Sequence, residues 1–205
     1  MMIVTEIVEL SKKKVRVCVD DDICFALYKS ELGKLAVEKD VELSQETYDR
    51  IMNEVLPKRA KLRCMNLLKS RDYTEYQLAM KLRQGLYPEE IIDGAVAYVA
   101  SYGYVDDIRY ARSYIECAGR SKSRRQIENE LTMRKGISKE NVRRAYAQCS
   151  EDDSVADEEE VIHRLLEKKH FDRQNATDQE CRRMAGFLYR RGFEPDKIYR
   201  AIGLC

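Results

Sequence analysis

The sequence contains no tryptophan, only three prolines and only two histidines among its 205 residues. The scarcity of proline and a charged fraction of 36% favour a helical protein. His163 and His170 have no ligand partner at the spacing of a zinc site, and no GxGxxG, P-loop, GxSxG or HExxH pattern occurs. Asp106 and Asp107 lack a third oxygen ligand nearby, so they fit the start of a helix capped by Asp106 better than a metal site. We therefore expect no catalytic residue, no metal and no cofactor.

The sequence also lacks an N-terminal signal pattern and any apolar run near 18 residues. These absences predict a soluble, cytoplasmic protein that does not contact a membrane. The cysteines are odd in number and scattered, without a CxxC pair, which favours reduced thiols over a disulfide framework or a zinc site. They are Cys18, Cys24, Cys64, Cys117, Cys149, Cys181 and Cys205.

Residues 1–57 differ from the rest of the chain. In KVRVCVD, Val15, Val17 and Val19 occupy every second position, as in a half-buried strand. The flanking segments MIVTEIVEL and ICFALY are also rich in strand-forming residues, so we expect about three antiparallel strands. A helix is then predicted from the N-cap Ser44 to Pro57. This part of the chain is either a docking module or a small lid on the helical body.

From Lys58 onward the sequence shows only helical periodicity, and one phrase recurs as KLRQGLYPEE (81–90), LTMRKGISKE (131–140) and LYRRGFEPDK (188–197). With the three glycines aligned, the phrases share an apolar residue, then an acidic one, a β-branched one and a small one. The aligned sets are Gly85, Gly136 and Gly192; Leu86, Ile137 and Phe193; Glu89, Glu140 and Asp196; Ile91, Val142 and Ile198; and Gly94, Ala145 and Ala201. Each glycine is expected to adopt the left-handed conformation that ends one helix before the next begins.

An apolar i, i+4 pair precedes each glycine, at a distance that slips by a residue or two between the copies. The pairs are Leu78/Leu82, Ile127/Leu131 and Met184/Leu188. The spacing of the glycines leaves room for one further helix per copy, predicted at 58–70, 106–118 and 157–170. The predicted fold class is therefore mostly α, an elongated, curved array of tandem three-helix repeats that follows a small N-terminal β-rich segment with a helix. The predicted domains are 1–57, 58–105, 106–150 and 151–205.

Basic residues concentrate in the second repeat, with nine bases against three acids between Arg120 and Cys149. Seven acidic residues and no base follow between Ser150 and Glu160. This polarity, and the recurrence of doubled arginines, favours contact with a phosphate backbone or an acidic protein face over a merely solvated helix face. The candidate contact residues are Arg120, Lys122, Arg124, Arg125, Arg134, Lys135, Arg143, Arg144, Arg182, Arg183, Arg190 and Arg191.

The second repeat carries the most specific motif. It reads G-Y-x-D-D-x-x-Y-A from Gly103 to Ala111, then I-x-x-E-L at 127–131 and K-G-I at 135–137. With the glycine-hinged repeats, these residues resemble the RecX family of bacterial recombination regulators over roughly 58–202, and the N-terminal segment is similar to the extension of Gram-positive-type members. The family often has glycine just before the second helix of this repeat, where this chain has Ser123. Serine preserves the helix start but puts in doubt a close contact that glycine would allow.

The resemblance implies a non-catalytic modulator of the RecA recombinase, and we expect a negative regulator that is a monomer. Such proteins act on the RecA filament on single-stranded DNA and alter its ATP hydrolysis, strand exchange and coprotease activity, which links them to DNA repair, homologous recombination and the SOS response. On this interpretation the basic second repeat contacts DNA, single- or double-stranded, or an acidic filament surface, and the acidic connector faces basic protein loops. Two alternatives remain open: a stand-alone DNA-binding protein with helix-turn-helix readers, and a helical adaptor for another protein.

Overall fold

The computed structural model describes residues 2–152 and 156–203. The chain divides into two compact units, Met1–Asp106 and Asp107–Cys205. The first unit has one apolar core, which the N-terminal sheet shares with the first repeat, and the second unit has two, one in each of its repeats. Within the described residues, no helix combines the length and the apolar character that a membrane span requires.

The N-terminal segment forms a four-stranded antiparallel sheet in the order β3-β2-β1-β4. The strands are β1 (Met2–Glu9), β2 (Lys14–Val19), β3 (Ile23–Tyr28) and β4 (Glu42–Leu43). Val15, Val17 and Val19 are at most 3% exposed, as the predicted alternation requires, but Cys18 between them is also buried, at 4% exposed, so the alternation does not hold along the whole of β2. The sequence did not predict β4, because a strand of two residues is too short to show a period.

One disulfide contradicts the prediction of reduced thiols for two of the cysteines, whereas four others, Cys64, Cys117, Cys149 and Cys181, are not in a disulfide. Cys18 of β2 and Cys24 of β3 are direct partners across the hairpin, with their Cα atoms 4.1 Å apart, and their sulfurs are bonded. The register of the hairpin places them opposite each other, and register cannot be read from cysteine spacing alone. Cys64 is a buried thiol, and its burial raises its pKa to about 11. Cys205 lies outside the described residues.

A helix runs from the sheet into the first repeat without ending at Pro57, which corrects the sequence-based prediction. It consists of α2 (Gln45–Arg50), a π-helical turn (Ile51–Val55) and α3 (Leu56–Leu68), and it follows a short α1 (Lys29–Leu32). Ser44 caps α2 as predicted. The Leu56 N–H bonds to the carbonyl of Ile51, five residues back, so the ladder is already widened where proline, which has no N–H, enters the helix.

The predicted three-helix repeats are confirmed by the course of the chain. The first contains α3, α4 (Glu75–Arg83) and α5 (Glu89–Ser101); the second contains α6 (Asp107–Ala118), α7 (Arg124–Asn129) with a π-helical turn (Glu130–Arg134), and α8 (Lys139–Glu151); the third contains α9 (Glu158–Lys168), α10 (Asp178–Arg190) and α11 (Pro195–Ile202). The curved arrangement of the repeats and the domain limits stay predictions.

Hydroxyl caps begin the second helix of every repeat. The side-chain oxygens of Thr74, Ser123 and Thr177 each accept the backbone N–H three residues later. Such caps satisfy N–H groups that have no partner inside the helix. Before α6, Gly103 has a φ of 70°, and Asp106 immediately precedes the first helical residue, so the GYVDD segment forms the turn and helix start expected of it.

The hinge of the first repeat lies one residue later than the glycine alignment predicts. Gly136 and Gly192 have φ values of 70° and 85°, but in the first repeat Leu86, not Gly85, takes the left-handed conformation, with a φ of 57°. The small residue of the repeat is buried in all three copies only in the shifted alignment, because Ala95 is 1% exposed whereas Gly94 is exposed. The equivalent sets are Leu86, Gly136 and Gly192; Tyr87, Ile137 and Phe193; Ile92, Val142 and Ile198; and Ala95, Ala145 and Ala201.

The corrected alignment also explains the slipping distance between the apolar pair and the hinge. Leu82 and Leu188 both lie four residues before the left-handed residue of their repeats, whereas Leu131 lies five residues before Gly136. The π-helical turn Glu130–Arg134 accommodates the additional residue, since a π turn contains one residue more than an α turn.

Candidate functional site

Four of the predicted contact residues line one cleft in the second unit, which we call the arginine cleft. Arg125, Arg134, Arg190 and Arg191 surround a cavity of about 770 Å³. The first two belong to the second helix of repeat two, and the other two lie at the end of α10 in repeat three. Within the described chain none of the four forms an ion pair with a carboxylate. Glu130 also lines the cleft, but its carboxylate is paired with Lys122, so the four arginines determine the positive charge of the cleft.

A direct joint between the two repeats holds the arginine cleft in shape. Buried Ser123 donates its hydroxyl to the carbonyl oxygen of Arg191 at 2.6 Å and accepts the N–H of Gln126 at 3.2 Å. Gly192 packs against the same point, where an added Cβ would lie 3.0 Å from Ser123 Oγ and 3.3 Å from Arg125 Cβ. The serine that departs from the family pattern thus makes a close contact instead of losing one.

Glu158 reinforces this joint from α9. Its carboxylate accepts the backbone N–H of Arg124 at 2.7 Å and an N–H of Lys197 Nζ at 2.7 Å. The hydrogen bond with Glu158 raises the pKa of Lys197 above its ordinary value. Because Glu158 contacts both the start of α7 and a lysine of α11, it ties the third repeat to the second.

Two exposed apolar side chains line the arginine cleft and were missing from the predicted contact residues. Met133 is 82% exposed and Tyr189 is 60% exposed. Each lies near a buried leucine, Leu131 or Leu188, but off the buried stripe of its helix, and that offset is the signal that could have identified it. Arginine, methionine and tyrosine are enriched in protein interfaces, and arginine also suits phosphate. The cleft can therefore bind an acidic protein face or a nucleic-acid backbone.

Two predicted contact residues are occupied by partners inside the second repeat instead. Lys122 Nζ forms an ion pair with Glu130 and donates to the Tyr114 hydroxyl at 3.1 Å, and the bond with Glu130 raises its pKa. Arg124 bonds to Glu128 at 2.8 Å, and its guanidinium lies 4.4 Å from the centroid of the buried Tyr146 ring. A cation beside an apolar core needs such partners. The two neighbouring arginines therefore differ in role, because Arg125 lines the arginine cleft and Arg124 does not.

The remaining predicted contact residues do not line the arginine cleft. Lys135 is half-buried, with Nζ 5.7 Å from the centroid of the Tyr114 ring. The others are exposed side chains of the second unit: Arg120, Arg143, Arg144, Arg182 and Arg183. They add to the positive charge of the unit without sharing one site with Arg125.

Several carboxylates of the acidic connector have partners inside the unit, and its expected contact with basic loops of a partner stays a prediction. Asp152 binds Arg112 at 2.6 Å, and Glu159 binds Arg200 at 3.0 Å. Glu158 is held as described above, and Glu160 lies 3.6 Å from Arg164. These carboxylates are thus used inside the unit, and residues 153–155 of the connector lie outside the described residues.

Similarity to known proteins now identifies the family. A family model described as the third three-helix domain of RecX matches residues 157–202, and one for the first three-helix domain matches residues 60–98. A protein of Caldanaerobacter subterraneus subsp. tengcongensis named regulatory protein RecX is 31% identical over 205 residues, which cover 99% of this chain and 100% of the relative. The chain belongs to the RecX family.

Further relatives agree with this assignment. The regulatory protein RecX of Trichlorobacter lovleyi is 33% identical over 141 residues, which cover 67% of this chain and 89% of the relative. A crystal structure of a regulatory protein RecX is 21% identical, with a TM-score of 0.63 over 99% of each chain. The crystal structure of RecX from Lactobacillus salivarius is 19% identical, with a TM-score of 0.58 over 73% of this chain and 96% of that one. The two structures show that the RecX fold is shared.

Proposed function

We propose that this RecX family member is a non-catalytic, negative regulator of the RecA recombinase and that it binds the RecA filament on single-stranded DNA. The relatives carry the name regulatory protein RecX, which supports a regulatory role. Binding changes the ATP hydrolysis, strand exchange and coprotease activity of the filament. The protein would thereby act in the cytoplasm on homologous recombination, DNA repair and the SOS response.

The arginine cleft is the observation that carries this proposal. A RecA filament on DNA offers carboxylates on its protein surface and phosphates along its DNA, and a guanidinium group binds either one through two parallel hydrogen bonds. Exposed Met133 and Tyr189 add apolar contact area beside the charges, as in a protein interface. Met133 suits contact with a protein, and the open ring of Tyr189 suits either a protein or the bases of single-stranded DNA.

The proposal is tested by ATP hydrolysis of RecA from the same organism, assembled on single-stranded DNA, with this protein titrated at two salt concentrations. We expect a dose-dependent change near stoichiometric protein, weaker at the higher salt. The double variant R125E/R190E should require about tenfold more protein for the same effect, because two cleft charges are reversed. R144E/R182E, with the same change in net charge outside the cleft, should resemble the wild type.

Two results would contradict parts of this proposal. A folded R125E/R190E variant that acts like the wild type would remove the arginine cleft from the interface. If the wild type changed nothing at either salt, with filament formation confirmed separately, RecA would not be the partner. Sequence-selective binding of duplex DNA without RecA would then favour a stand-alone DNA-binding protein, and no binding to either would favour an adaptor.

A further inference from the structure

A second basic cleft lies in the first unit, where the N-terminal sheet meets the first repeat; we call it the sheet cleft. Its volume is about 920 Å³. Lys14 and Tyr28 come from β2 and β3, Lys58 and Arg63 from α3, and Lys81 from α4. The sequence did not reveal this site, because its basic residues belong to three segments far apart in the chain, around residue 14, residues 58–63 and residue 81, which only the fold brings together.

The sheet cleft has a strong local excess of positive charge, although the whole chain has a net charge of only +1. Glu31 is the carboxylate in its lining, and both of its oxygens are bound by Arg59. The charges of Arg59 and Glu31 cancel, so the remaining cations determine the charge of the cleft. In the part of the chain that the structure describes, these cations make no ion pair with a carboxylate; they are Lys14, Lys58, Arg63 and Lys81.

Arg59 gives the sheet cleft a fixed wall. Its guanidinium donates to the carbonyl oxygen of Ala26 at 3.0 Å, binds Glu31 and lies 4.7 Å from the centroid of the Tyr28 ring. Its side chain is only 15% exposed. One residue of α3 therefore holds β3 and the segment that follows it in place, and the cations without a carboxylate partner stand on a preorganised frame.

The rings of the sheet cleft are not available to stack on nucleic-acid bases. Lys14 and Arg59 both lie over the Tyr28 ring, at 5.2 Å and 4.7 Å from its centroid, and Tyr87 is only 9% exposed. Sites for single-stranded nucleic acid combine a basic groove with open aromatic faces. Leu62, by contrast, is 52% exposed and lines the cleft close to Lys58 and Arg63 in the sequence of α3. An apolar side chain flanked by cations suits a peptide better than a phosphate backbone.

We infer that the sheet cleft binds an acidic segment of a protein partner, in which carboxylates flank an apolar side chain. The carboxylates contact the lysines and Arg63, and the apolar side chain covers Leu62. This gives the N-terminal segment a docking role. The inference goes beyond the proposed function and uses no residue of the arginine cleft, so either proposal can fail without the other.

The test is a fluorescence-anisotropy titration of the full chain with three labelled probes. The first is a short peptide in which glutamates flank a leucine, the second is the same peptide with glutamine for glutamate, and the third is an oligothymidylate. K58E/R63E reverses two exposed cations that make no ion pair in the described structure. K34E/K69E is the matched control, since both lysines are exposed, do not line the cleft and change the net charge equally.

We expect the acidic peptide to bind the wild type and the K34E/K69E control, and to bind K58E/R63E about tenfold more weakly. The glutamine peptide should bind more weakly than the acidic one, and oligothymidylate binding should not distinguish the two variants. Equal loss of peptide binding in both variants, or no peptide binding to the wild type, would overturn the inference. Selective loss of oligothymidylate binding in K58E/R63E would replace the acidic peptide with a nucleic-acid strand.

Discussion

The hinges of the first and third repeats turn the chain in the same way with different residues. Leu86 has a φ of 57° and Gly192 a φ of 85°, and the N–H of the following residue bonds to a carbonyl five residues back in both. They differ in their surroundings, because Gly192 packs against Ser123 and Arg125 whereas Leu86 is half-buried. A left-handed turn by itself tolerates leucine at a cost of about 1–2 kcal/mol. Glycine is required where another repeat also occupies the space of a side chain.

The largest expected effect comes from Gly192→Ala. We expect the free energy of unfolding to fall by roughly 2–3 kcal/mol, because alanine adds backbone strain and a Cβ that crowds Ser123 and Arg125. Urea unfolding followed by far-UV circular dichroism measures this loss. Gly85→Ala is the control: its backbone is not left-handed, and its Cβ would lie 3.0 Å from the Tyr87 ring and 3.2 Å from the Leu82 carbonyl oxygen, both within the same repeat, so roughly 1–2 kcal/mol should be lost through crowding alone. Equal losses at the two glycines would mean that crowding between repeats is not the reason why the third hinge has glycine where the first has leucine.

Ser123→Ala sharpens the same comparison with a smaller effect. The variant loses an N-cap and the hydrogen bond to Arg191, so unfolding should require about 2 kcal/mol less free energy. The matched control is Ser138→Ala at the start of α8, where the serine is exposed and caps its helix by accepting the Asn141 N–H. That change should remove only about 1 kcal/mol. If the two variants unfolded at the same urea concentration, the bond between the repeats would contribute nothing measurable.

Glu130, in the π-helical turn that precedes the hinge of the second repeat, allows a test by pH. Burial alone would raise the pKa of Glu130, but its bonds with Lys122 and Tyr114 lower it below its ordinary value. Stability from these bonds is therefore present above the pKa of the unfolded chain, about 4.3, and is lost as the pH falls through the folded-state pKa. Glu130→Gln should lower the free energy of unfolding by about 1 kcal/mol at neutral pH and weaken its decline in acid.

Glu140→Gln is the control for that experiment. Glu140 is exposed and lies 3.9 Å from Arg143, so its replacement should change stability by less than about 0.5 kcal/mol at any pH. Unfolding free energies measured across the acid range distinguish the two variants. Parallel pH profiles for Glu130→Gln and the wild type would show that Glu130 carries none of the acid sensitivity.

Leu86→Gly should have the smallest effect. Glycine relieves the left-handed strain but gives up the half-buried leucine side chain and adds freedom to the unfolded chain. These terms oppose one another, so the free energy of unfolding should change by less than about 1 kcal/mol. The reciprocal change at the third hinge, Gly192→Leu, should instead destabilise more than Gly192→Ala does. Strong destabilisation by Leu86→Gly would show that the leucine is a core residue and not merely tolerated.

Much of the fold could be predicted because its signals are local. The alternation of the β2 valines, the cap at Ser44 and the apolar i, i+4 pairs all lie within a few residues of the structure they specify. The first hinge could not be placed, since Gly85 stands one residue before the left-handed position. Its glycine is explained by a neighbour, because a Cβ at residue 85 would lie 3.0 Å from the Tyr87 ring.

The candidate site was predictable only as a set of charges. Arg124 and Arg125 are indistinguishable in the sequence, yet Arg124 is held by Glu128 and Tyr146 whereas Arg125 lines the arginine cleft. Exposed Met133 carries no charge, so it gave no signal in an argument based on charge. The sheet cleft was missed for a different reason, because its cations come from segments far apart in the sequence.

The sequence by itself determined the helices, their caps, the repeat pattern and the family, because each of these depends on residues close together in the chain. Only the tertiary structure decided which strand partners carry the Cys18–Cys24 disulfide, which arginines remain without a carboxylate partner and which cations share a cleft. The physical reason is that pairing, burial and charge compensation depend on the neighbours of a side chain in space. Those neighbours come from distant segments, as Arg191 does for Ser123.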